Sequence, residues 1–496
     1  MNVNPITRLD YPDPDVIRVE DTYYMVSTTM HFMPGCEILQ SFDLVHWEHA
    51  TYVYETLDHT DAQQLKSGQN IYGQGMWAAS LRYHEGRFYI CFVANDTRKT
   101  YLYTSEKIDG PWKKQLIEGF YHDGSLLFDE DGRNYIVYGN DEIWITELNE
   151  DLTAPKKDGL HRLLVSDHKN PELGYEGSHI QKINGYYYIF LIHSLRDRWM
   201  RTEACFYSDS LEGEFTGGDV LCDDRGYCGQ GVAQGGIVDT PDGKWYAMLF
   251  QDSGAVGRLP ILLPVTWKDH FPVFGQNGHV PEEIEVHSTR PGYIYQPLVG
   301  SDDFCNGLLP RWQFNHDPDP RYYHLDALQG TYTITTREVC TELTQAVNTL
   351  TQRMSYPSCA AEVTVDASAL KEGDVAGLCA FQGCYAAVGI TKHHGKYEVL
   401  MLDKKEDGIL DMTEGTVVES HQMDFRFEAD FCNMKDEARC YYRVNKGDWL
   451  PIGTVHKLYF KLDHFTGCRF GLFCYAAEET GGSACFRDFK YYDVDE

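Results

Sequence analysis

Three carboxylic acids, Asp13, Asp123 and Glu176, open three copies of one recurring sequence pattern. The pattern is a short apolar strand, a tight turn and an aromatic strand, and it begins five times, at Asp13, Ala78, Asp123, Glu176 and Gln234. A single acid at such a place reads as a cap on a strand or turn. Three at matching places of a repeat read as a site, because two carboxyl groups brought together can act as general acid and general base on one bond. A third acid nearby raises its neighbour's proton affinity by like-charge repulsion. Cleavage of a glycosidic bond fits this set: one carboxylic acid protonates the leaving oxygen, while a carboxylate activates water or attacks the sugar.

The elements that must position these acids are legible in the same repeat. The turns are Glu20-Asp21, Glu85-Gly86, Asp131-Gly132, Asn184-Gly185 and Asp242-Gly243, dipeptides of the kind that favour hairpins. Each second strand opens on aromatics, such as Tyr23-Tyr24, Tyr186-Tyr187 and Trp245-Tyr246. The copies recur at roughly the length of a four-stranded propeller blade with variable loops. A sandwich also contains many hairpins, but it does not repeat one hairpin signature at blade spacing. The expected fold is therefore all-β, a five-bladed β-propeller over residues 1–295. The first strand of each blade lines the central channel, and the copy-opening residues ring one end of it.

Several segments resemble glycoside hydrolase family 43. They are Asn4-Pro5 through Tyr11-Pro12-Asp13-Pro14-Asp15, then Phe32-Met33-Pro34-Gly35 and Ser41-Phe42-Asp43-Leu44-Val45-His46-Trp47. Trp77-Ala78, Tyr83-His84-Glu85-Gly86 and Glu176-Gly177-Ser178-His179 continue the likeness. The resemblance implies Asp13 as general base, Asp123 as the acid that tunes its neighbour and orients the sugar, and Glu176 as general acid. It also implies inversion at the anomeric carbon, with base and acid about 6.5–9.5 Å apart. It further implies that Arg258 contacts substrate, the competing reading being a surface salt bridge. Phe32 and Trp77 are candidate walls of a sugar pocket, with core packing as the alternative, and His179 is a candidate support. Strict strand alternation would turn His179 to the face opposite Glu176. Two departures stand out. Relatives often show Trp-Ala-Pro-Asp where this chain has Trp77-Ala78-Ala79-Ser80, and His where Gln234 stands, which puts a channel ion in doubt.

After Phe274 the chain passes through Gly275, Gly278, Pro281 and Pro291, and a new pattern begins near Ser301. Alternating strands at Tyr332–Thr335, Ala360–Val365, Ala376–Phe381, Tyr397–Leu402, Phe425–Asp430, Arg439–Val444 and Arg469–Tyr475 predict a β-sandwich over residues 296–496. This second domain resembles the carboxy-terminal sandwich of family 43 exo-enzymes, which implies a wall against the propeller with one loop closing the pocket. The segment Glu478–Ala484 is the candidate loop. Asp302, Asp303 and Asp488 could hold a structural Ca²⁺, against which stands the reading of solvated turn acids. No cofactor is expected for catalysis.

Composition narrows the partners. With 75 acidic and 43 basic residues the net charge is −32, which repels phosphate backbones and argues against nucleic acid. Fifteen cysteines without a close Cys-x-x-Cys pair suit reduced thiols better than a disulfide framework. No run approaches the roughly 18 apolar residues of a membrane helix, and no secretory signal is visible, so a cytoplasmic protein is expected. The functional expectation is an inverting exo-acting glycosidase that removes α-L-arabinofuranosyl units from arabinoxylan-derived oligosaccharides. A β-D-xylosidase or bifunctional enzyme, a non-catalytic sugar-binding propeller and a retaining enzyme acting on fructosides are the alternatives.

Overall fold

The computed structural model describes residues 3–493. Five four-stranded antiparallel sheets follow one another along the chain, each built from four consecutive strands. Their first strands are Asp15–Val19, Met76–His84, Ser125–Phe128, Glu176–Ile183 and Val232–Asp239. Each of these packs against the first strands of the preceding and following sheets, and the fifth returns to the first. That closed ring is a five-bladed propeller, with the blades numbered 1 to 5 in chain order. The hairpin turns fall where the dipeptides predict them. Asn184-Gly185 and Glu85-Gly86 place both residues at positive φ (50° and 83°, 48° and 78°), the backbone of a type I′ turn.

Among the described residues no strand is exchanged to close the ring. Instead the amino-terminal segment covers a strand edge that would otherwise lie open. Asn4 exchanges hydrogen bonds with Leu262 (2.7 and 2.8 Å), Ile6 N donates to Pro260 O (2.8 Å) and Tyr11 N to Arg258 O (3.1 Å). This tether delivers Asp13 to the channel mouth beside blade 5. Apolar clusters fill the spaces between blades, for example Tyr188, Phe190, Ile237, Leu249 and Leu263 between blades 4 and 5.

The last propeller strand ends at Phe274, and the first sandwich strand begins at Gln313. Two sheets, of eight and seven strands, then pack face to face, enclosing Leu378, Val388, Phe425, Phe427, Phe470 and Phe486. All seven strands expected from alternation lie within or coincide with observed ones, such as Ser358–Asp366 and Gln422–Asp430. The fifteen cysteines form no disulfide among the described residues, and no described helix is long and apolar enough to cross a membrane.

The two domains share a buried polar seam. Arg353 of the sandwich pairs with Glu37 of blade 1 (2.9 Å), donates to Asp10 O (2.9 Å) and lies 4.1 Å over the Tyr11 ring. Removing one partner of so buried a pair costs about 3–5 kcal/mol, since the other charge is left alone. Phe32 also belongs to this seam. It is 1% exposed, packs with Phe381 and Leu343 of the sandwich and lies 3.4 Å beneath the Arg469 guanidinium. Its place in the interdomain core corrects the expectation of a sugar-pocket wall.

Candidate active site

One end of the channel collects the acids. Asp13 and Asp123 stand just ahead of the first strands of blades 1 and 3, both in the left-handed region (φ 53° and 48°). This backbone is uncommon for non-glycine residues and is often retained at functional sites. Glu176 opens the first strand of blade 4, where the left-handed residue is its neighbour Gly177 (φ 63°). The three acids are therefore not strictly equivalent, although all three reach the same mouth. A Cβ on Gly177 would lie 2.7 Å from the Gln234 side chain, so glycine is required both for the turn and for the close approach of blade 5.

Asp13 is fixed by two donors. Thr28 Oγ1 donates to Oδ2 (2.6 Å) and Arg258 Nη1 pairs with Oδ1 (3.0 Å). Arg258 is buried at 2% exposure, which removes the surface salt bridge as an explanation. Asp123 accepts a hydrogen bond from Gly177 N (3.0 Å). Its pKa is pushed up to about 6, first by burial and then by the charges of Glu176 and Asp13, against the opposing pull of His122. Glu176 Oε2 accepts from Asn140 Nδ2 (2.7 Å), and its side chain is 22% exposed against 7% for each of the two aspartates. Glu176 is thus the most accessible of the three acids.

His122, Asn140 and Thr28 escaped the sequence reading. His122 Nε2 lies 3.6 Å from both Asp123 Oδ2 and Glu176 Oε2. Its pKa is pushed up to about 9, above all by Asp123 and against its burial, with Glu176 and Asp13 adding to the rise. A signal was available: Thr28 follows, and Asn140 ends, the second strand of its blade. Those strands finish at the mouth where the first strands begin.

Aromatics wall the mouth. Trp77 stands 5.9 Å from His122 and 5.7 Å from Phe465, and Arg258 lies 4.3 Å over the Phe465 ring. Phe465 comes from the sandwich, so the segment Phe460–Gly467 is the loop that reaches the propeller. Gly467 N donates to Asp10 Oδ2 (2.7 Å), while Arg258 N donates to Asp10 Oδ1 (2.8 Å). Asp10 thereby couples this loop to the strand bearing Arg258. A Cβ on Gly467 would stand 2.1 Å from Val256 O, a contact only glycine permits. The segment Glu478–Ala484, expected in this role, instead packs within the sandwich: Lys371 Nζ donates to Thr480 O (2.7 Å) and Thr336 N to Gly482 O (2.9 Å).

His179 does not face away from the channel. A bulge between Glu176 and His179 resets the alternation, and His179 Nδ1 meets Asp15 Oδ1 at 3.1 Å. Asp15 also binds Arg82 Nη1 (2.8 Å) and Leu81 N (2.7 Å). Arg82 continues to Leu126 O (2.8 Å), Ser125 Oγ (2.6 Å) and Ile180 O (3.2 Å), so one guanidinium ties blades 1 to 4 together across the channel.

Gln234 donates its backbone N–H to the buried Glu203 carboxyl (2.7 Å), whose pKa burial raises well above its ordinary value. Asp302 spends its two oxygens on Trp312 Nε1 and Phe304 N (both 2.8 Å), and Asp303 accepts from Cys305 N (3.0 Å). These contacts describe turn-forming acids. The only metal-capable grouping among the described residues is His122, Asp123 and Glu176, within 4.8 Å.

Comparison with known proteins places the chain in a family. Residues 3–272 match the family described as Glycosyl hydrolases family 43, and residues 301–492 match its Beta xylosidase C-terminal Concanavalin A-like domain. A beta-xylosidase of Formosa agariphila is 26% identical over an alignment covering 99% of this chain and 89% of that protein. A non-reducing end alpha-L-arabinofuranosidase of Bacteroides ovatus is 24% identical, covering 83% and 79%. A solved structure described as a bifunctional GH43-CE protein of Bacteroides eggerthii superposes with a TM-score of 0.93 at 42% identity. That alignment covers 99% of this chain and 64% of the other, so this chain spans less than two thirds of that structure's length. The chain belongs to glycoside hydrolase family 43 and is a glycoside hydrolase.

Proposed function

We propose that the protein is an inverting, exo-acting hydrolase that releases terminal α-L-arabinofuranosyl units from arabinoxylan-derived oligosaccharides. The observation that carries this reading is the asymmetry of the three acids. Asp13 is buried and oriented by Thr28 and Arg258, which suits a base that aligns one water. Glu176 is partly open and held through one oxygen by Asn140, which suits an acid that meets a departing sugar. In the reaction Asp13 takes a proton from water as the new C1–O bond forms. Glu176 gives its proton to the glycosidic oxygen as the old C1–O bond breaks. Asp123, hydrogen-bonded to Gly177 N, supplies negative charge beside the oxocarbenium-like centre and helps orient the sugar.

The Phe465 ring over Arg258 and the Trp77 ring beside it narrow the mouth, which favours one terminal sugar over an internal stretch of polymer. A β-D-xyloside is the second reading, favoured by relatives named beta-xylosidase. Release of nitrophenol from the aryl α-L-arabinofuranoside and β-D-xyloside tests both, with product analysis on arabinoxylo-oligosaccharides alongside. Monosaccharide release, reduced at least about 100-fold in Glu176→Gln on the oligosaccharide, is expected. A ladder of mid-sized products would overturn the exo mode. No hydrolysis of any of these substrates would overturn the assignment.

A further inference from the structure

The reaction as drawn leaves one buried titratable side chain at the mouth unused. His122 immediately precedes Asp123, and its carbonyl accepts Gly139 N (3.1 Å), which ties it to the second strand of blade 3. Its Nε2 is buried and has no hydrogen-bond partner. It lies 3.6 Å from Asp123 Oδ2 and the same distance from Glu176 Oε2, too far for a hydrogen bond to either but close enough for strong charge interaction. The charged groups facing it are Asp123 on its own segment, Glu176 from blade 4 and Asp13 from the segment ahead of blade 1. The other cation at the mouth, Arg258, is paired with Asp13. The Trp77 ring, 5.9 Å away, closes one side. His122 is therefore the cation left to answer Asp123 and Glu176 together.

We propose that His122 is a positioning residue of this reaction: a fixed cation that holds Asp123 ionised and stabilises the carboxylate Glu176 becomes as it protonates the leaving oxygen. The inference rests on the hydrolase reading above and deepens it. His122 keeps its own proton throughout. The proton that moves to the glycosidic oxygen is that of Glu176, and the one taken from water goes to Asp13. The new negative charge on Glu176 appears only as the bond breaks, so a cation already in place stabilises the transition state more than the ground state. Without it, Asp123 holds its proton more tightly.

The test is kcat and KM against pH for the wild type and His122→Asn. One substrate is an aryl arabinofuranoside or xyloside with a nitrophenol leaving group, and the other is an arabinoxylo-oligosaccharide whose leaving group needs acid assistance. In the variant, kcat on the oligosaccharide should fall at least about 10-fold, with KM changed less than about twofold. The acidic limb of its pH profile should move upward, while kcat on the nitrophenyl substrate changes little. An unmoved profile, or equal losses on both substrates, would overturn the inference and leave the hydrolase standing. A wild type that cleaves neither substrate would overturn the function and the inference with it. Should His122→Asn fail to fold, NMR titration of the His122 ring in the wild type and in Asp123→Asn gives the second reading. A ring that titrates above the ordinary histidine range and drops in the variant supports the inference, and a ring in the ordinary range in both overturns it.

Discussion

The mouth of the channel and the layer just inside it are built from the same materials to opposite ends. Inside, Asp15 meets Arg82, His179 and Leu81 N. Burial works to raise its pKa, but these partners outweigh it and hold the carboxyl below its ordinary value. At the mouth, three carboxyl groups share Arg258 and His122, and there burial and like charge win, lifting Asp123 to about 6. Asp13 lies two residues ahead of Asp15, which opens the strand, yet on the proposed reading one serves chemistry and the other structure. An acid matched by a guanidinium and further hydrogen-bond donors braces the blades, and an acid left in a surplus of negative charge is available to exchange a proton.

Substitutions on each side should break this contrast most clearly. Asp13→Asn removes the base candidate and should lower kcat about 10³-fold or more, with some loss of Tm because Arg258 is left buried without its carboxylate. Asp15→Asn leaves Arg82 and His179 buried beside an amide and should destabilise the fold by about 3–5 kcal/mol, read as a large drop in Tm. An Asp15→Asn protein with the Tm of the wild type, or one whose kcat falls as far as that of Asp13→Asn, would erase the distinction between the layers.

A smaller effect of opposite sign is expected at Asp123. Its carboxyl is raised from 3.8 to about 6, so the folded state favours the protonated form. That contribution is fully present below about pH 4 and is lost as pH rises through about 6. At pH 7 the ionised group therefore costs stability, on the order of 3 kcal/mol, with its attraction to His122 already included. Asp123→Asn should abolish most activity yet raise Tm at pH 7, with the gain shrinking toward pH 4. Thermal melts across that range check the sign, and a Tm below wild type at pH 7 would contradict it. The smallest effect is that of Phe465→Ala. Losing the ring beneath Arg258 should raise KM about 5- to 10-fold with little change in Tm.

The propeller was legible because its evidence is local: a turn dipeptide and a following aromatic pair, such as Asn184-Gly185 with Tyr186-Tyr187, recur wherever a blade begins. The acids were legible because they open those repeats. What stayed hidden depends on contacts between distant segments. Phe465 reaches Arg258 across 207 residues, its carbonyl accepting from Arg258 Nη2, and nothing near Phe465 in sequence marks it. Phe32, an aromatic beside the mouth segment, is drawn into the seam by Arg469 and Phe381, which no pattern around residue 32 announces. His179 was misjudged because alternation assumes an unbroken strand, and a bulge intervenes. His122 carries its role through two 3.6 Å separations to residues on different blades, and its side-chain type alone does not disclose it.

The central claim is that Asp13 directs water while Glu176 protonates the leaving oxygen. It is tested most directly by following the anomeric configuration of the first sugar released, by proton NMR before mutarotation. Inversion, giving β-L-arabinofuranose from an α-L-arabinofuranoside or α-D-xylose from a β-D-xyloside, is the predicted result. Release of the sugar with retained configuration would contradict it, because Asp13 would then have to act on the sugar and not on water.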